Sequence, residues 1–219
     1  MSDAASEMIS ASTATTLGIG ISTPGLTDED AQRSLFSPNL QAINQQSPAA
    51  DLIEATGVTT VAMQEARALC MAERLYGNAR GLDDFAMLDI TTGLGLGVFS
   101  GGELLSGHNG FAGELGHITV DPAGKLCGCG NHGCLETLAT DAALAGMISD
   151  RLGQRLSADV VIEKLQRGEL QAPEEVNRVC EYLAIAMASI AMPFFNQLSG
   201  KSLSIPFDQP QFWLILLLF

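Results

Sequence analysis

The 219-residue chain is 47% apolar and 16% charged, long enough for roughly one to two domains and too apolar for a disordered acidic tail. With 11 Lys and Arg against 25 Asp and Glu, its net charge of −14 repels phosphate backbones and makes this chain by itself a poor nucleic-acid binder. No apolar run reaches the roughly 18 residues that cross a bilayer, and residues 1–12 lack the basic start and apolar centre of a signal peptide, so a soluble cytoplasmic protein with no membrane partner is expected.

Residues 1–13 are small and polar and read as a loose start. Residues 17–22 form a short apolar run closed by Thr23, Pro24 and Gly25, the pattern of a strand ending in a turn. Residues 26–50, rich in Asp, Ser, Gln and Pro, read as loop. Apolar groups at Ala62, Ala66, Leu69, Cys70 and Leu75 predict a helix over 62–76, with Gly77 as its stop. Residues 85–90 are a second buried-strand candidate. From Gly93 to Gly116 glycine is dense, as expected where backbone turns tightly or approaches a ligand closely. Residues 98–104 read as a hairpin with Ser100, Gly101 and Gly102 at its tip. A compact Cys/Gly loop follows over 117–134, then helices at 137–152, 158–167 and 174–195. Pro173, Glu174 and Glu175 suit the first turn of the last helix, by proline's fixed φ and by the helix dipole. Residues 179–192 are apolar nearly all round, so that helix is expected to be buried. The apolar octet 212–219 is too short to span a membrane. It is either a strand or helix tucked into the core, or the mark of a chain that has lost its proper C-terminus.

Of the five cysteines, Cys127, Cys129 and Cys134 fall within eight residues, while Cys70 and Cys180 lie on helix-like segments. An odd count with a tight cluster, in a reducing compartment, points to metal and not to a disulfide framework. Cysteines one residue apart also bond poorly to each other. Thiolates and imidazole suit tetrahedral Zn²⁺, and a closed set of four ligands makes a structural site. Spacing alone leaves the fourth ligand open between His117 and His132.

The motif Glu-x-Gly-His at 114–117, followed by Cys-x-Cys-Gly-x-x-Gly-Cys-x-Glu at 127–136, resembles the ROK family of bacterial repressors and sugar kinases. The resemblance covers residues 15–196. It takes in Gly18 to Ile21, Pro24 and Gly25, Ser37 to Leu40, Ala72 and Glu73, the Gly93 to Gly97 loop, and Asn109, Gly110, Gly113 and Glu114. It implies an α/β fold of the actin-like (ribonuclease H-like) ATPase type found in sugar kinases. Residues 1–62 would be the remnant of an incomplete N-terminal lobe, residues 63–196 most of the C-terminal lobe with its zinc loop at 117–134, and residues 197–219 an unmatched tail. It also implies His117, Cys127, Cys129 and Cys134 as the zinc ligands, with His132 a polar loop residue.

By the same resemblance Glu114, His117 and Glu136 face sugar hydroxyls, which carboxylates accept from readily. A sugar kinase further needs a base, and the family places an Asn-Asp pair eight to nine residues before an Ala-Glu. Counting back from Glu73 gives Gln64 and Glu65. They are the substrate-facing pair, with Glu65 a candidate base displaced by roughly 1.5 Å through its extra methylene. A base must lie within about 2.6–3.2 Å of its proton. A misplacement of about 1 Å can cost of order 10²-fold. Thr92, Gly93 and Gly95 are the nucleotide-phosphate candidates. However, the second phosphate loop should read Gly-Thr-Gly-x-Gly-Gly-Gly, and residues 91–97 read Thr-Thr-Gly-Leu-Gly-Leu-Gly. The family's Asp-x-Gly-x-Thr loop is not found ahead of Leu17, nor its adenosine-side Gly-Gly after Asn196.

The favoured expectation is therefore a sugar-binding ROK regulator, a shortened family member, that lacks kinase activity. The repressor-like wording of residues 120–122 and 131–133 supports it. DNA would be reached only through a helix-turn-helix module that this chain does not contain. The alternatives are an ATP- and magnesium-dependent hexose or N-acyl-hexosamine kinase of the glucokinase type, and a zinc-stabilised fragment without a ligand. An incomplete lobe would leave sheet edges open, which promotes homo-oligomers.

Overall fold

The computed structural model describes residues 1–28, 32–38 and 40–199, so the octet at 212–219 and Asn39 lie outside the described residues. The chain divides into two compact units: Met1–Asp89 with Gly95–Glu114, and Ile90–Leu94 with the described residues from Leu115 onward.

The first unit opens with α1 (Ser2–Ala11), where a loose start was expected. Ser2, Ala5, Ser6 and Ile9 are half-buried at i, i+3, i+4 and i+7, a helical stripe in which Ile9 is the one large apolar member. β1 (Ile19–Thr23) is the expected first strand. The segment expected as loop instead holds β2 (Leu26–Asp28), β3 (Arg33–Phe36) and most of its residues up to the start of α2 (Pro48–Thr56) in ordered structure. Several of its polar residues bond within the unit. The Thr23 and Thr27 hydroxyls are 2.7 Å apart, and Asn44 Oδ1 accepts from the Ser37 N–H at 2.6 Å. Thr27, Ser34 and Ser37 are buried, the Ser34 hydroxyl without a hydrogen-bond partner among the described residues.

β4 (Thr60–Gln64) pairs in parallel with β1, Ile19 opposite Thr60 and Thr23 opposite Gln64. A parallel pair needs a long crossover, which residues 24–59 supply. The helix expected from residue 62 starts later, as α3 (Glu65–Tyr76), because Ala62 belongs to β4 and is buried there. Gln64 sets the boundary: its Oε1 accepts from the Arg67 N–H at 3.1 Å and caps the helix. Gly77 closes α3 as expected. Ala62, the last residue of the expected first lobe, lies within β4.

β5 (Phe85–Ile90), β6 (Leu94–Ser100) and β7 (Glu103–Leu104) form a sheet in that order. β6 and β7 make the expected hairpin, with Phe99 opposite Leu104. α3 lies directly on β6. A Cβ on Gly95 would stand 2.7 Å from Ala66 Cβ, and one on Gly97 would stand 2.3 Å from Cys70 Cβ. The close approach that the glycine-dense stretch foretold is therefore made here by a helix.

In the second unit, short 3-10 turns at Leu115–His117 and Leu135–Thr137 bracket the Cys/Gly loop. α4 (Asp141–Leu152), α5 (Ala158–Gln166) and α6 (Pro173–Ser199) follow. α4 begins later than the expected 137, because Thr140 caps it by accepting from the Ala143 N–H at 3.2 Å. Ala145, Ile148, Val161 and Ala172 make the core of this unit. α6 was expected to be buried. Of residues 173–191 only Ile185 and Ala186 are buried, while Cys180, Ala184 and Met187 form an exposed stripe, Met187 at 59%. Among the described residues α4 packs on α6. No helix among the described residues is long and apolar enough to cross a membrane.

Candidate metal centre

The Cys/Gly loop closes on itself through backbone pairing. The Cys127 N–H donates to Asn131 O at 2.7 Å, the Gly133 N–H to Lys125 O at 2.8 Å, and the Val120 N–H to Gly133 O at 2.9 Å. Gly133 has φ +62°, and a Cβ there would stand 1.4 Å from Asp121 O, so no other residue fits. This folding brings one ligand atom each from His117, Cys127, Cys129 and Cys134 to within 4.8 Å of one another. Cys129 Sγ lies 3.7 Å from Cys134 Sγ, and Cys127 Sγ lies 3.6 Å from His117 Nδ1. Tetrahedral zinc with Zn–S of about 2.3 Å and Zn–N of about 2.0–2.1 Å has S···S edges of about 3.8 Å and S···N edges of about 3.6 Å. The donor set and its spacing therefore fit zinc. His132 stands apart from the group: it is exposed, and its Nδ1 lies 3.2 Å from Gly124 O.

The thiols are not equivalent. Burial, helped by the neighbouring thiols, pushes Cys134 up to about 12. Burial likewise raises Cys127. Burial works against ionisation of Cys129 too, but the Asn131 N–H and the two other thiols outweigh it and hold that group below its ordinary value. A divalent cation compensates such a set, since its ligands bind as thiolates.

Glu136 sits beside the group, half-buried. Its Oε1 is 3.8 Å from Cys127 Sγ, and its Oε2 accepts from the Leu94 N–H at 3.3 Å. His117 and Glu136 belong to the second unit, whereas Gln64, Glu65 and Glu114 belong to the first. Gln64 is 9% exposed with its side chain turned back as the cap of α3, and Glu65 is exposed at the first position of that helix. Thr92 is exposed in the turn between β5 and β6, and it borders a cleft of about 970 Å³ whose other walls include Ala142, Ser149, Arg155 and Ser157. Gly93 shares that turn, its carbonyl accepting from the Thr91 N–H at 3.0 Å, while Gly95 faces Ala66.

Two residues in these surroundings escaped the sequence reading. The Leu94 N–H carries no side-chain signal at all. Arg67 is wholly buried, and the only trace of this is its place on the stripe of Ala66 and Cys70.

Comparison with known proteins leads to the same family as the motif. The ROK family matches residues 1–197. The N-acetylglucosamine repressor of Escherichia coli O157:H7 is 32% identical over 189 residues, 82% of this chain and 46% of that protein. A ROK hexokinase from Thermus thermophilus is 32% identical with a TM-score of 0.72, over 88% of this chain and 64% of the other. A ROK glucokinase from Streptomyces griseus, solved with glucose and AMPPNP, is 27% identical with a TM-score of 0.75, over 87% of this chain and 67% of the other. The chain spans about half the length of the curated relatives it matches. Its α/β elements are part of the actin-like ATPase fold of those sugar kinases and repressors. From the motif, the ligand geometry and these matches together, the chain belongs to the ROK family, which holds both repressors and sugar kinases.

Proposed function

We propose that this chain is the sugar-binding part of a cytoplasmic ROK regulator and transfers no phosphoryl group. The observation that carries the reading is the start of α3. Gln64 is spent on capping the helix, and Glu65 is longer than the aspartate that the family resemblance requires of a base. The phosphate side agrees, because Leu96 stands among the loop's glycines with its side chain buried in the first unit. Glu114, His117 and Glu136 are the sugar-facing groups of this reading. A zinc ion held by His117, Cys127, Cys129 and Cys134 would supply a rigid brace and no reacting group. Residues 1–62 then stand for the first lobe and 63–196 for the second. β1 and β4 form a two-stranded ladder among the described residues, and its open edges support self-association. DNA contact would belong to a separate module.

Exposed Glu65 and exposed Thr92 favour one second reading, an ATP- and magnesium-dependent kinase of hexoses or N-acyl-hexosamines. A coupled ADP-release assay over glucose, mannose and N-acetylhexosamines, with calorimetry alongside, separates the two. The regulator reading expects heat of sugar binding without ADP release. Turnover on the enzymatic scale of about 1–10³ s⁻¹, lost in Glu65→Gln, would establish the kinase instead.

A further inference from the structure

Glu136 stands where two hydrogen-bond networks meet in the second unit. It follows the ligand Cys134 by two residues, in a turn whose ends are fixed. The Leu135 N–H donates to Ile118 O at 2.9 Å, next to His117, and the Thr137 N–H and hydroxyl donate to Cys134 O at 2.9 and 2.7 Å. Cys134 itself is bridged to Thr119. The carboxylate then reaches out of this turn: Oε1 lies against Cys127 Sγ and Oε2 holds the Leu94 N–H. The backbone of the same residue continues the path. Glu136 O accepts from the Thr140 hydroxyl at 3.0 Å, Thr140 caps α4, and the Asp141 N–H donates to Thr91 O at 3.3 Å. Thr91 and Leu94 are the two ends of the turn that carries Thr92 and Gly93. Both ends are thus tied to the short segment that begins at a metal ligand.

We infer that Glu136 is a positioning residue through which occupancy of the metal centre sets the turn between β5 and β6 and the first turn of α4. The contacts couple the two ends, and by linkage the coupling is reciprocal. The ligand Cys134 begins the turn at Leu135–Thr137 and accepts from both donors of Thr137, and Glu136 transmits the position of that turn to Leu94 through one side-chain bond and to α4 through its carbonyl. Metal loading would in this way order the phosphate-side turn without touching it. The inference rests on the metal assignment and is tested without sugar present.

The test is amide hydrogen exchange followed residue by residue on zinc-loaded protein, on chelator-treated protein, and on zinc-loaded Glu136→Ala and Glu136→Gln, each with its zinc content measured. Leu94 in Glu136→Ala should exchange about tenfold faster, the size expected for losing one hydrogen bond that holds a local closed state. Metal-free protein should show the same acceleration at Leu94. Glu136→Gln keeps an acceptor oxygen and should stay within about twofold of the wild-type rate. Val161 in the core should not change in either variant. If the metal-free chain unfolds, Val161 loses protection as well, and the zinc-loaded Glu136→Ala protein then decides. Unchanged Leu94 exchange in Glu136→Ala at about one equivalent of zinc would overturn the inference and leave the sugar reading standing. Failure of reloaded protein to retain zinc would overturn the metal assignment and the inference together.

Discussion

Gly97→Ala tests whether the glycines of β6 serve helix packing or ligand approach. The added Cβ would stand 2.3 Å from Cys70 Cβ, 2.7 Å from Ala66 O and 2.9 Å from Cys70 Sγ. Carbon atoms rest at about 3.5–4.0 Å, so α3 and β6 must part by more than about 1 Å. No rotamer change relieves this, because the tightest contacts are a Cβ and a backbone oxygen. Overpacking of this kind costs about 1–3 kcal/mol, and a backbone obstacle belongs at the upper end. Removing a glycine returns about 0.4–1 kcal/mol through the unfolded chain, which leaves a net loss of about 2 kcal/mol. At about 2–4 °C per kcal/mol for a chain of this size, the melting temperature should fall by about 4–8 °C. Circular dichroism melts in heat and in urea read it. Gly20→Ala is the control, since nothing lies within 4 Å of its added Cβ, and it should melt at or slightly above the wild-type temperature. Adding Cys70→Ala should not restore Gly97→Ala, because it removes Sγ and leaves Cβ in place. A Gly97→Ala protein that melts with the wild type would refute the packing argument and return the glycine to a ligand.

Metal analysis of chelated and reloaded protein should find about one zinc per chain, lost in Cys129→Ser and kept in His132→Ala. The His132 change removes only an exposed contact to Gly124 O and should cost less than about 1 kcal/mol. Thiol labelling at pH 8 should modify exposed Cys180 well before Cys70, which burial and then the Glu73 carboxylate push up to about 11. Folding keeps the Cys70 proton that the unfolded chain releases near 9.0, so stability should fall as pH rises from about 9 toward 11. Rapid labelling of Cys70 in the folded protein at pH 8 would contradict that burial.

The metal centre was legible because its information is local. Cys127, Cys129 and Cys134 lie within one loop, and their glycine neighbours announce the wrapping, so spacing and ligand chemistry already point to a cluster that could hold a metal. The choice of His117 over His132 was not local. It depended on the family motif, and the structure supports it by placing the His117 ring nitrogen 3.6 Å from a thiol and His132 on a carbonyl. The segment 26–50 hid its strands because Thr27, Ser34 and Ser37 satisfy their hydroxyls or bury them within the unit, which residue type alone does not reveal. Gln64 hid the end of β4 for a related reason: a cap is a side-chain contact made three residues ahead. The burial of α6 was overstated because composition counts apolar residues without counting neighbours.

A closed set of four ligands would supply no reacting group, so the His/Cys cluster of this chain does not separate a repressor from a sugar kinase. The two roles differ in what a phosphoryl group would need: a carboxylate at the attacking hydroxyl and a loop that wraps phosphate. In this chain both requirements meet on α3 and β6, and one packing event governs both. The glycines at 95 and 97 let α3 close onto β6, which leaves Glu65 at the exposed start of that helix, Gln64 folded back as its cap and Leu96 buried on the intervening position. On the regulator reading, Glu65→Asp would therefore not suffice, because Leu96 would still stand where the family resemblance expects a glycine of the phosphate loop. The double change Glu65→Asp with Leu96→Gly addresses both elements at once, although emptying the buried Leu96 site should cost about 3–5 kcal/mol of stability. If Glu65→Asp alone produced sugar-dependent ADP release, residues 91–97 would be competent as they stand, and the proposal that two elements bar phosphoryl transfer would fail.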